Sequence, residues 1–112
     1  MEKKKFSYDK YSDSLIVSSR QENEIVKNNF EVGDIIFSMT GKGKIVAIEI
    51  REFSSFLESC NIDTAILENL SDVELKILPR RETIFIALNL KFLEGAVTLS
   101  KSIPLVVPLV SQ

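Results

Sequence analysis

Ile84, Ile86, Leu88, Leu90 and Phe92 occupy every second position of one run. A period of two belongs to a strand, since alternate side chains of a pleated backbone point to the same face. That run therefore commits its stretch of chain to a long strand with one buried face. Its other face carries Phe85, Ala87 and Leu93, so it is partly apolar too and needs cover on both sides.

The neighbouring segments repeat the pattern. Val73, Leu75 and Ile77 alternate until Pro79, and PRRE makes a turn. Glu94-Gly95 turns the chain back into Val97, Leu99 and Ile103, giving a three-stranded meander over residues 72–107. Nearer the amino terminus, Lys5–Tyr8 and Leu15–Ser19 flank the turn KYSDS, with Leu15 and Val17 on one face. Ile35, Phe37 and Met39 lead into Gly41-Lys42-Gly43, and Val46, Ile48 and Ile50 line the return strand. Gly41 and Gly43 supply the positive φ angles of a tight turn. Residues 24–30 add a preceding edge strand.

Between these blocks the period changes. Phe53, Phe56, Leu57 and Cys60 form one helical stripe, with Ser55 and Glu58 spaced as a capping box and Ser54 as the other candidate cap. Asp63 is the expected cap of a second helix running to about Asn69 and burying Ile66, Leu67 and Leu70, with Ile62 and Leu67 as its staple. Strands in runs with segregated helix predict an α+β fold of antiparallel hairpins and a meander around one short central helical segment. No Ser/Pro/Gly-rich linker interrupts the 112 residues, so a single domain over 1–112 is expected.

Charge and composition narrow the chemistry. A net charge of −2 gives no general attraction to nucleic acid or anionic lipid. The chain has no histidine and one cysteine, Cys60, which removes imidazole bases, Ser–His triads, the usual zinc sites and an internal disulfide. No run approaches the roughly 20 apolar residues of a membrane span. The amino-terminal MEKKKFSYDK lacks the apolar core of a signal peptide. The expectation is a cytoplasmic protein with no cofactor and no nucleic-acid or membrane partner.

Tyr8-Asp9, Asp13 and Leu15, followed by Gly43-Lys44-Ile45-Val46-Ala47-Ile48-Glu49-Ile50 and Ser54, resemble a family of small prokaryotic proteins catalogued as a domain of unknown function. The family's pattern is Tyr-Asp, then Asp-x-Leu, then Gly-Lys-Val-Val-Gly-Ile-Glu-Ile with a Ser four residues on. The resemblance covers about residues 6–56, and the meander looks like the extension of longer archaeal members. Ala47 stands for the usual second Gly and Ile16 for a frequent aromatic, and both substitutes suit a strand. The resemblance implies a small β-rich domain with no assigned activity, and an antitoxin role for members encoded beside small toxins.

Carboxylates are the candidate chemistry. Asp9 and Asp13, with Glu49 and Asp34, would make an all-carboxylate site for Mg²⁺ or Mn²⁺ and a metal-dependent enzyme. The simpler reading is that Asp9 and Asp13 accept hydrogen bonds from turn amides. Glu49, mid-strand among apolar residues, is either a solvent-face residue, an ion-pair partner or a buried acid. Alternation places it opposite the Val46/Ile48/Ile50 face. Cys60 reads as a core residue, and the amino-terminal EKKK and Arg80-Arg81 as solvated.

The apolar tail IPLVVPLV (103–110) carries more weight. Pro104 and Pro108 bar it from a central strand, yet its side chains must pack on something. Either it covers the second face of the 84–93 strand, or two chains cover each other. The candidate interface is therefore Phe85, Ile103, Leu105, Val106, Val107 and Leu109. The functional expectation is a non-catalytic, self-associating interaction module, a homodimer with a possible further protein partner. The alternatives are an antitoxin-like partner of a small toxin and the metal-dependent enzyme above.

Overall fold

The computed structural model describes residues 5–108. The chain divides into two compact units at Thr64/Ala65, where the sequence predicts a single domain, and each unit is described by itself.

The first unit is a five-stranded antiparallel sheet of β1 (Phe6–Asp9), β2 (Ser14–Ser18), β3 (Val26–Val32), β4 (Ile35–Thr40) and β5 (Ile45–Ile50). The strand order is β1-β2-β5-β4-β3, so the amino-terminal hairpin adds to the far side of the β3–β5 meander. Register builds one rung across the whole sheet, Phe6–Val17–Ile48–Phe37–Phe30. Val17, Ile48 and Phe37 are buried in it, and the Phe30 and Phe37 rings stack at 4.8 Å. Leu15, Val46 and Ile50 are buried on the same face, whereas Ile16, one residue out of phase, is 46% exposed. The alternation read from the sequence thus decides which face is core.

The β4–β5 turn uses only one of its two glycines for conformational freedom. Gly43 has φ +85°, and its N–H donates to the Thr40 carbonyl at 3.0 Å. Gly41 stands outside the positive-φ region, against the expectation for both, and a Cβ there would lie 3.4 Å from Lys27 Cγ, an ordinary contact. Gly43→Ala is therefore expected to cost about 1 kcal/mol in urea unfolding, and Gly41→Ala well under half of that.

A single helix, α1 (Phe53–Ser59), follows β5 and buries Phe53 and Leu57. Its carboxy end closes in a Schellman arrangement. Asn61 takes φ +60°, the Ile62 N–H donates to Leu57 O at 2.9 Å, and the Asn61 N–H to Glu58 O at 3.0 Å. The Ser55–Glu58 capping box does not form: Glu52 stands at the N-cap in the left-handed region and its side chain makes no capping bond.

The second unit opens with a 3-10 helix at Thr64–Asn69, where the sequence predicts an α-helix. It buries no side chain, and Ile66, Leu67 and Leu70 are only half-buried. A segment of six residues lacks the length for a stable α-helix without a fully buried face. The antiparallel sheet β6 (Leu70–Pro79), β7 (Thr83–Glu94) and β8 (Val97–Pro108) follows, in the order β6-β7-β8. Ile84, Ile86, Leu88, Leu90 and Phe92 are all buried on one face of β7, joined by Val73 of β6 and by Ile103 and Val107 of β8. Most of the described chain is antiparallel β-structure with a small helical part. No helix among the described residues is long and apolar enough to cross a membrane.

Candidate functional site

Asp9 and Asp13 do different work. Asp9 closes the hairpin turn: its Oδ1 accepts from the Tyr11 N–H at 2.9 Å and its Oδ2 from the Ser12 hydroxyl at 3.1 Å. Asp13 instead reaches across to the first turn of α1. It occupies the left-handed region at φ +54°, which aspartate tolerates better than most residues. This aims its carboxylate at Ser54, whose N–H donates at 3.0 and 3.2 Å and whose hydroxyl donates to Oδ2 at 2.6 Å. The Tyr8 hydroxyl donates to Oδ1 at 2.6 Å, and the Phe53 N–H donates to the Asp13 carbonyl at 2.9 Å. Asp13 therefore caps α1 from 41 residues away, satisfying amides that a local N-cap leaves open.

The electrostatics follow from that geometry. Burial pulls the Asp13 carboxyl upward, but donation from the Ser54 hydroxyl, the Tyr8 phenol and the Ser54 amide outweighs it and holds the group below its ordinary range. Tyr8 is pushed up to about 12, by burial first, then by its bond to Asp13 and the negative charge of Asp13 and Asp9. An aspartate held ionised by three donors is a poor base for the Ser54 hydroxyl. The cluster holds the β1–β2 hairpin on α1.

Glu49 lies on the face of β5 away from the core, half-exposed between Ile16 and Ile36 in the register. The nearby cation goes elsewhere: Arg51 pairs with Glu31 at 2.9 Å. Asp34 is exposed in the β3–β4 turn. Asp9, Asp13, Asp34 and Glu49 are not brought together, and no three Asp, Glu, Cys or His side chains among the described residues are placed to share a metal ion. Cys60 is half-buried at the carboxy end of α1. Arg80 and Arg81 are exposed at the β6–β7 turn. Of the EKKK segment, only Lys5 lies among the described residues.

The tail residues separate by parity. β8 is an edge strand in register with β7, so its Pro104 and Pro108 are accommodated without a central ladder. Ile103 and Val107 are buried, and Leu105 is half-buried on the same face, so alternation removes them from the surface expected to meet a partner. Leu109 lies outside the described residues. Phe85 and Val106 point the other way, 43% and 60% exposed, and the register sets Leu78 of β6 (50% exposed) beside Phe85. Residues 97–108 run within the sheet, so they do not cover its outer face.

That outer face has two ends. At one, Leu78–Phe85–Val106 and then Lys76–Ala87–Pro104 form adjoining rungs that line a groove of 530 Å³. At the other, Asn89 donates to Glu74 at 3.2 Å and accepts from the Ser102 hydroxyl at 3.4 Å, while Lys91 pairs with Glu74 at 3.6 Å. No family model, curated protein or solved structure matches this chain.

Proposed function

We propose that the protein is a non-catalytic interaction module that self-associates through the outer face of the β6–β8 sheet. One observation carries this reading: Leu78, Phe85 and Val106, one from each strand, form a single exposed apolar rung above a 530 Å³ groove. Monomeric proteins seldom leave contiguous apolar surface of this kind open, and covering it supplies roughly 25 cal/mol per Å². Asp9 and Asp13, by contrast, are spent on turn and cap bonds. Sedimentation velocity over a range of concentrations tests the reading. The wild-type chain is expected to move toward dimer as concentration rises, and Phe85→Asp to remain monomeric while keeping its far-ultraviolet spectrum. A wild-type chain that stays monomeric at high micromolar concentration removes the proposal.

A further inference from the structure

We infer that the occupant of this face is a second copy of the chain, stacked face to face about a two-fold axis along β7, so that β6 of each copy lies over β8 of the other. This rests on the self-associating reading above and specifies how the two copies meet.

The distribution of charge selects the arrangement. On the outer face the charged residues of the edge strands all sit on β6, as Asp72, Glu74 and Lys76. The corresponding positions of β8 are Ser100, Ser102, Pro104 and Val106, none of them charged. The axis along β7 therefore places each charged edge over an uncharged one. Laying β6 over β6 requires an axis across the strands, which through the Lys76–Ala87–Pro104 rung sets Lys76 against its own counterpart. The axis along β7 also sets Lys91 of the central strand against its counterpart, at the polar end of the face, where each is paired within its own chain with Glu74.

The same axis keeps every rung at its own level along the strands. Leu78 meets Val106 of the second copy, Phe85 meets its counterpart, and Ala87 meets its own. Glu74 falls over Ser102, an uncharged residue. A two-fold axis across the strands, through the Lys76–Ala87–Pro104 rung, would set Phe85 against Asn89 and the apolar rung against the polar one.

Edge pairing is the competing geometry, and β8 opposes it. A proline in a strand is tolerated where its nitrogen points away from the ladder. Pro104 and Pro108, four residues apart, share that outer side, so the free edge is short of two N–H donors where the sheet is most apolar. Area is sufficient for the stacked form. β7 and β8 are 12 residues long, so at roughly 3.3 Å per residue and 4.8 Å per strand the face offers about 500 Å² per copy. Two copies bury about 1,000 Å², the lower bound for a specific interface.

The register is tested by charge exchange. Leu78→Lys and Val106→Glu are each expected to weaken association by about tenfold or more, since each places an unpaired charge against an apolar side chain. The double variant Leu78→Lys/Val106→Glu sets lysine over glutamate twice and is expected to recover dimer, now sensitive to salt. A second measurement adds no charge: in a Cys60→Ser background, a short bismaleimide is expected to link Ala87→Cys chains, whose thiols meet at the axis, and not Ser102→Cys chains. A double variant as dissociated as the singles, or cross-linking at Ser102→Cys and not at Ala87→Cys, overturns this register while wild-type self-association stands. A monomeric wild type overturns both.

Discussion

Asp13→Ala is expected to lower the stability of the first unit by about 3 kcal/mol, read as the free energy of urea unfolding. The substitution removes the acceptor for the Tyr8 hydroxyl, the Ser54 hydroxyl and the Ser54 amide together. It also leaves alanine in a left-handed conformation that disfavours it. Asp13→Asn keeps an acceptor oxygen and the tolerance for positive φ, so it is expected to lose less. The pair separates charge from shape through pH. The folded-state pKa of Asp13 is depressed from its ordinary value of 3.8, so its contribution is fully present above that value. It is lost as pH falls through the lower, folded-state pKa. Glu24 and Glu74 are also held low, so the wild type has an acid limb of several parts, and the part missing from Asp13→Asn belongs to Asp13. Tyr8 acts at the other end. Its folded pKa is raised from 10.0 to about 12, so its contribution persists below pH 10 and is lost as pH rises through about 12. Tyr8→Phe is expected to flatten that alkaline limb. An acid limb unchanged in Asp13→Asn would show that the charge of Asp13 contributes nothing to stability.

Why much of the fold was legible, and the cap was not, comes down to distance along the chain. Alternation in 35–50 and 84–92 is a local signal, and it places Phe37, Ile48, Leu88 and Leu90 in the core because a strand has only two faces. The capping box at Ser55 and Glu58 is also local, but it competes with a partner 41 residues upstream. Once β1–β2 pairs, the Asp13 carboxylate reaches Ser54, and Glu52 is left without a capping bond. No periodicity reports such a contact. The tail failed differently. Hydrophobicity alone makes it one apolar block, whereas strand parity divides Ile103 and Val107 from Val106. Counting outward from the PRRE turn also pairs Leu78 with Phe85, which adds Leu78 to that surface.

That parity carries the second large effect, because neighbouring positions of β7 should answer to different experiments. Leu88 is fully buried, while Phe85 is 43% exposed on the opposite face. Leu88→Ala is expected to cost about 3 kcal/mol, the lost transfer energy of the side chain plus the cavity it leaves. This loss is the same at every protein concentration, because the cavity lies inside one chain. Phe85→Ala, although it deletes the larger side chain, is expected to cost under about 1 kcal/mol at concentrations where the chain is monomeric. Its penalty grows as concentration rises, because the wild type then gains stability from association that the variant lacks. Urea unfolding of the two variants at dilute and high micromolar concentration reads both effects. If the Phe85→Ala penalty proves independent of concentration, the outer face contributes only to the monomer and self-association through it is excluded. If instead only the Leu88→Ala penalty stays constant, the two faces of one strand are separated by function, one holding the chain folded and the other holding copies together.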